Sequence, residues 1–431
     1  MDRFDKIEFD DAVKTYVPDA FQGRIMNGAT AGLDKNGVMR NALGLESTED
    51  HRHVAKVWQK QCIPFTQFMM DVSADAANKK DILASQDELR LESPMQLRNG
   101  IQLTKNGMNS LRGFTDIPQS MLAYLDENGY EADSVYYINQ DMDRQSAKWK
   151  ENHDNDKLFR LRLRKDKETG NEVCRAIVSE RYGVIDNHNA LFLIANALPD
   201  LSSVLASHVD EDGDDMFGNL LLPDRMQSRD DSDYGVGIAF RNSEIRNSTF
   251  SVRPFVFRAI CLNGCIWGRS NSDINVNQRH LGQINYPELQ EEVRRAIKAS
   301  LTQGNKMLDL MDASKQVPVA NPLRVIAQLT RDSKMTVEQG RSWHRGYIES
   351  LRESTGHHND KTAFGIVNGL TRSAQRYSGA MREQMESTAG TILAPSIDAD
   401  LQEIARRWGR IADNAATLDE QTVRQYQYVV R

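Results

Sequence analysis

Leucine and arginine alternate from Leu158 to Lys165, with Leu161 and Leu163 on one side and Arg160, Arg162 and Arg164 on the other. A period of two predicts a strand that buries one face and presents three guanidinium groups on the other. The DKETGN that follows supplies the Gly and Asn a chain reversal requires, so Lys157 to Glu180 is expected to form a hairpin. Asp186 or Asn187 then caps an apolar helix from Ala190 to Leu198. Upstream, Thr104 is placed to cap a short helix through Leu111, and Pro118 opens another that runs to Leu125, ahead of a polar linker from Asn139 to Asp156. Before residue 95 the pattern is weakest: Asp50 to Ile63 has helical character, and Pro64 to Asp71 is rich in Phe and Met.

Further along, Tyr234 to Phe240 and Thr249 to Arg253 read as strands, with Gly235 and Gly237 permitting close backbone approach. Behind Pro287, the residues Leu289, Val293, Ala296, Ile297, Leu301, Leu308 and Met311 keep helical spacing. After a break at Pro395, Leu401, Ile404, Ala405, Trp408, Ile411 and Ala412 do the same. The pattern predicts an α+β fold: a central antiparallel strand-rich domain flanked by an N-terminal helical region and a C-terminal helical region. Its expected parts are an N-terminal extension at 1–95, mixed and mostly helical, an α+β core at 96–300 and a helical region at 301–431.

Charge divides this core. The chain carries a net −7, yet Asp200 to Val236 holds ten acids against Arg225 and Arg229, while Lys157 to Val184 holds eight bases against four acids. Residues 200–236 therefore read as an acidic loop between basic strands, able to cover a basic surface. No apolar run reaches the roughly 18 residues of a membrane helix, and MDRFDKIEFDD has neither a basic start nor an apolar centre, which predicts a cytoplasmic protein with no membrane partner. Cys62, Cys174, Cys261 and Cys265 are too few for a disulfide scaffold and are expected as free thiols.

Several chemistries can be weighed. Cys261 and Cys265 with His280 offer zinc-type ligands, but CxxxC exceeds the commonest knuckle spacing and a fourth ligand is missing, so small buried residues around the Asn263-Gly264 turn are the simpler reading. DEDGDD, Asp210 to Asp215, has Asp where an EF-hand loop needs Gly, so it reads as solvated. No metal and no other cofactor is expected. Neither GxSxG nor GxxxxGK occurs. Asp186, Glu244 and His280, with His188 nearby, form a general acid/base group if the fold converges them, although Asp186 also suits a helix cap and Glu244 an ion pair.

The basic strands point to phosphate. Phe159, Tyr182, Phe250, Phe255, Phe257 and Trp267 lie among them, and single-stranded nucleic acid is held by backbone charge combined with base stacking. The same arginines have a structural use, pairing with Glu168, Glu172 and Glu180 across the hairpin, and core packing accounts for many of the aromatics.

RAIVSERYGVIDN (Arg175 to Asn187), Ser243-Glu244, VRPFVFRAICLNG (Val252 to Gly264) and RHLG (Arg279 to Gly282) resemble motifs of domain of unknown function 932, a family of phage and plasmid proteins. GIQLTKNGMNSLRGFTDIP (Gly100 to Pro118) resembles its upstream segment and TAFGIVNGLT (Thr362 to Thr371) its closing helix, so the likeness covers about residues 95–380. The resemblance implies a mobile-element protein whose recurrent polar positions match Arg175, Ser179, Tyr182, Asp186, Asn187, Ser243, Glu244, Asn263, Arg279 and His280. By analogy of setting and fold class it is similar to single-strand annealing proteins. The expectation is an oligomeric protein, a homo-oligomer, that binds single-stranded nucleic acid through Arg160, Arg162, Arg164, Arg175, Arg181, Tyr182, Arg253, Arg258 and Arg279. The alternatives are a hydrolytic enzyme using Asp186, Glu244 and His280, or a structural or host-interaction protein. A contiguous basic groove would favour binding, and a closed polar pocket catalysis.

Overall fold

The computed structural model describes residues 61–166, 168–201, 203–211, 214–222, 227–229, 232–258, 264–267, 275–353, 361–394 and 396–429. The helix expected from Asp50 lies outside these up to residue 60, as do Cys261 and Asn263. The chain opens with β1 (Cys62–Pro64), α1 (Phe65–Ala76), β2 (Lys79–Ser85), β3 (Leu91–Ser93), β4 (Gln96–Leu97) and β5 (Gln102–Leu103). Three helices follow, α2 (Lys105–Arg112), α3 (Gln119–Glu127) and α4 (Glu131–Lys150), then the hairpin β6 (Leu158–Lys165) and β7 (Glu172–Ser179) and the helix α5 (Asn187–Ala197). The strands β8 (Leu205–Glu211), β9 (Asp215–Leu221), β10 (Gln227–Arg229), β11 (Ser232–Ser243), β12 (Phe250–Arg258), β13 (Gly264–Ile266) and β14 (Val276–Gln278) come next. Helices close the chain: α6 (Tyr286–Lys315), α7 (Pro322–Asp332), α8 (Val337–Glu353), α9 (Ala363–Ala374), α10 (Gly379–Leu393), α11 (Leu401–Ala416) and α12 (Glu420–Gln425).

The fold is α+β, as the pattern predicts. The larger sheet runs β1-β8-β9-β11-β12-β13, with β10 on β11 and β14 on β12, all antiparallel. One face packs α1, α5 and the first half of α6 through Phe68, Leu191, Phe240, Val252 and Val293. Farther along that same face Val236 and Val256 meet the second half of α6, where Met307, Ile326, Trp343 and Trp408 continue the core, while the opposite face, with Arg241 and Arg253, lies against α10. The smaller sheet runs β2-β6-β7-β5-β4-β3, with only β5 and β7 parallel, and covers α2, α3 and α4 with Phe159, Leu161, Leu163 and Ile177. Each such fully buried side chain contributes about 1.5–3 kcal/mol.

Local signals hold where they rest on short-range chemistry. Thr104 Oγ1 accepts the Gly107 amide at 3.1 Å as the cap of α2, and Gly170, at φ +70°, turns the β6–β7 hairpin. Gly237 has no room for a side chain, because a Cβ would stand 2.2 Å from the Leu220 carbonyl oxygen of the neighbouring strand.

Three expectations need correction. Residues 200–236 are not a loop: β8, β9, β10 and the start of β11 lie there, because Ala206, Met216, Phe217, Leu220 and Leu221 can be buried only as strands of the larger sheet. The linker 139–156 is mostly the end of α4, whose buried stripe includes the polar Ser134, Asp141 and Ser146 and so lacks a clear apolar period. Residues 61–95 belong to the core rather than to an extension, since β1 pairs with β8 and β2 with β6.

Candidate nucleic-acid interface

The alternation in β6 is real, but its arginine face is not open. Leu161 and Leu163 enter the core of the smaller sheet, while Arg160 and Arg162 turn toward the larger sheet and are 8% and 1% exposed. Asp81 stands directly opposite Arg162 on β2 and accepts from its Nε at 3.1 Å and from Arg160 at 3.4 Å. A bulge in β7 re-aims a further arginine. Arg162 pairs with Ala176 and Leu163 with Cys174, which leaves Arg175 as the extra residue, directed into the same interface.

There Arg175 meets Glu244 and, at 3.1 Å, Asp214, which Arg164 approaches at 3.6 Å. Glu244 also binds Lys79 at 3.2 Å and accepts the Asn187 amide at 2.7 Å, and Lys79 reaches Asp75 at 3.0 Å. Arg162 donates to Asp186 and, at 2.6 Å, to the Glu244 carbonyl. Five bases thus face five acids in an ion network that joins the two sheets. Such a network is neutral and closed, so Arg160, Arg162 and Arg175 belong to folding rather than to an exposed phosphate-binding face, with Arg164 half-buried at its edge.

The proposed acid/base group converges here but is engaged. Arg162 touches both the Asp186 carboxylate and the backbone of Glu244. Despite its burial, Asp186 is held well below the usual carboxylate range, above all by the Arg162 charge, and Glu244 spends both oxygens on Lys79, Arg175 and an amide. Asp186 precedes α5 but makes no cap bond, because Arg162 takes its side chain. His280 stacks on Tyr182, with ring centroids 5.1 Å apart, and its Nδ1 lies 3.0 Å from the Gly183 carbonyl, which assigns the ring proton to Nδ1. The buried Nε2 has no hydrogen-bond partner among the described residues. Burial, aided by the Arg162 charge, pushes this imidazole down from 6.5 to about 4.

That shift has a measurable consequence. Between pH 6.5 and 4 the unfolded chain protonates His280 while the folded one does not, so folding stability falls with pH by about 3 kcal/mol across this window. Chemical denaturation at a series of pH values should show the slope, and His280→Asn should remove most of it. An unchanged slope in the variant would assign the acid sensitivity to other groups.

The aromatics seen among the basic strands are all core residues. Phe159, Tyr182, Phe250, Phe255, Phe257 and Trp267 are each at most 5% exposed, because strand alternation turns them inward, so none is a base-stacking platform. Of the remaining predicted residues, Arg181 and Arg279 are exposed and Arg258 is half-buried at the far end of β12. Cys62, Cys174 and Cys265 are buried free thiols, and burial pushes that of Cys174 up to about 12. Asp214, from the stretch expected to be solvated, is buried at 3% exposure in the ion network.

Arg253 lies elsewhere. On the face of the larger sheet that α10 covers, an open groove of about 800 Å³ is lined by Arg241 of β11, Arg253 of β12, Glu383, Gln384 and Ser387 of α10, Asp332 of α7, and Arg407 and Arg410 of α11. Arg241 and Arg253 share one carboxylate, Glu383, which Arg241 meets at 2.9 Å. Arg253 also donates to Ser387 Oγ at 2.9 Å, while the buried Nε of Arg241 has no partner among the described residues. Burial, then the like charge of Arg241, pushes Arg253 down to about 10, and burial lowers Arg241 as well. Across the groove, Arg407 donates to the Thr391 carbonyl at 2.9 Å and Arg410 is exposed. Four guanidinium groups therefore surround two carboxylates. Sequence reading missed Arg241, Arg407 and Arg410. A cluster of three arginines in RRWGR, residues 406–410, was the available signal, but nothing local ties it to β11 and β12.

An α+β protein with two sheets locked by a buried ion network, and a basic groove beneath its C-terminal helices, is the class this geometry defines. The family model described as Domain of unknown function (DUF932) matches residues 175–393, half of the chain, and the chain belongs to that family. The match begins at Arg175 of the ion network and ends at the last residue of α10, which carries one wall of the groove. No curated protein and no solved structure matches the chain. No helix among the described residues is long and apolar enough to cross a membrane.

Proposed function

We propose that the protein binds nucleic acid as a single strand, through the arginine groove between the larger sheet and the C-terminal helices. The observation that carries this reading is the pairing of two partly desolvated cations, Arg241 and Arg253, with the single carboxylate of Glu383, while the buried Glu386 near Arg253 is itself bonded to Arg382 and Asn219. An anion entering the groove restores what burial has removed, and guanidinium forks suit the oxygens of a phosphodiester. Phosphates carry no sequence, and the groove has no aromatic lining, so binding is to the backbone and tolerant of base identity. A groove of about 800 Å³ offers room for a short stretch of one strand. Copies of the chain aligned along one strand multiply the contacts, and this is the role we assign to a homo-oligomer.

Fluorescence anisotropy of a labelled oligo-dT tests the proposal. Glu383 competes with phosphate for two arginines, so Glu383→Gln should tighten binding about tenfold or more, on the order of the 1.5–3 kcal/mol of a charged hydrogen bond. Weaker binding by a folded Glu383→Gln protein would contradict the reading.

A further inference from the structure

We infer that the bound strand leaves the groove along one face of the larger sheet and reaches a second set of contacts, in which Arg279, Arg246 and Arg181 take phosphates and Leu281 meets a base. The inference rests on the groove reading and extends it in space. Directly opposed residues of antiparallel strands share a face. Arg241 opposes Ser251, and Ser251 opposes Asn277. By alternation Arg253, Thr249 and Arg279 lie on that face too. Thr249 Oγ1 links the two ends of the path, accepting from Arg241 Nη2 at 3.2 Å and contacting Asn277 Oδ1. From Arg253 to Thr249 the path covers about 13 Å at strand rise, and Arg279 extends it.

Three chain segments meet at its end. Beyond β14, Arg279 is exposed, His280 turns inward onto Tyr182, and Leu281 is 66% exposed. Tyr182 and Leu281 form an isolated bridge, and the Gly282 amide donates to the Arg181 carbonyl at 2.8 Å, which brings Arg181 alongside. The Tyr182 hydroxyl donates to the Ser243 carbonyl at 3.1 Å, so the β11–β12 turn docks on the same stack. In that turn Ser243 Oγ accepts the amides of Ile245, at 3.2 Å, and Asn247, at 2.9 Å, and Arg246 is held at φ +75°. A left-handed arginine is disfavoured, and here the surrounding bonds hold its backbone while its exposed guanidinium lies over the Phe114 ring, 5.9 Å from the centroid.

The electrostatic contrast with the buried network is sharp. There every base has an acid; at the rim, none of the Arg181, Arg246 and Arg279 side chains meets a carboxylate among the described residues. Glu180 and Asp215 are nearby acids, and Asp215 already accepts from Asn247 at 2.7 Å.

Oligo-dT of about 4 and about 12 nucleotides, within the site sizes of single-strand binders, separates the two sites. Arg181→Ala, Arg246→Ala and Arg279→Ala combined should weaken the longer strand about tenfold or more, and reduce its log-log salt slope by about 2, while leaving the shorter strand unchanged. Leu281→Ala should weaken the longer strand without altering the slope. A folded triple variant that binds the longer strand like the parent would overturn the inference and leave the groove standing. Failure of the parent protein to bind either strand would remove the groove reading itself.

Discussion

Glu244→Ala is expected to lower the unfolding free energy by about 3–5 kcal/mol, the cost of leaving buried charges without their partner. Glu244 is inaccessible to solvent and serves Lys79, Arg175 and the Asn187 amide, drawn from the smaller sheet and from the start of α5. Removing it leaves Lys79 with Asp75 and Arg175 with Asp214, and an excess of buried positive charge at the junction of the sheets. Urea denaturation followed by circular dichroism should show a lower midpoint. Glu244→Gln should lose less, because an amide oxygen still accepts from Asn187. Combining Glu244→Leu with Arg175→Met should recover part of the loss, since the double change removes one buried guanidinium. Additive losses from the two substitutions would mean the residues are not coupled.

Acid should act on the same junction. The Asp186 carboxylate is held low by Arg162, so its contribution is present above the unfolded carboxylate range and fades as pH falls below about 4. His280 acts over the higher window.

Much of this fold is visible in the sequence because it is local. The Leu/Arg alternation of β6, the Thr104 cap and the apolar stripes of α6 and α11 need only neighbours within a few residues. What the arginines face is a different matter. Arg162 and Asp81 are 81 positions apart, and Lys79 and Glu244 are 165 apart, so a row of guanidinium groups looks the same in sequence whether it meets solvent or a second sheet. Asp214 illustrates the converse, an acid in a polar run that is buried because Arg175 requires it. The bulge that aims Arg175 inward leaves no sequence mark, since a regular strand would also accept CRAIV. The groove unites β11 and β12 with α7, α10 and α11 far along the chain, and although Arg253 and the RRWGR cluster each attract notice alone, nothing local brings them together.

Reversing charge at the groove is expected to have the largest effect on binding. Arg407→Glu with Arg410→Glu replaces two phosphate donors by two carboxylates, and at about 1.5–3 kcal/mol for each charged hydrogen bond, affinity for oligo-dT should fall by about a hundredfold or more. Both residues stand on α11, whose core contacts are Ile404, Trp408 and Ala415; the change also gives up the bond from Arg407 to the Thr391 carbonyl, so circular dichroism is to establish that the variant is folded before its affinity is read. Reversing the exposed Arg406 of the same helix, which does not line the groove, should have a far smaller effect.

The salt dependence of single-strand binding tests the groove most directly. Each neutralised phosphate contributes about −0.7 to the slope of log affinity against log salt, so four groove arginines predict a slope near −3 or steeper in the parent protein, halved in the Arg407→Glu, Arg410→Glu variant. A flat salt response in the parent, or an equal slope and affinity in the folded variant, would contradict the assignment of nucleic-acid binding to this groove.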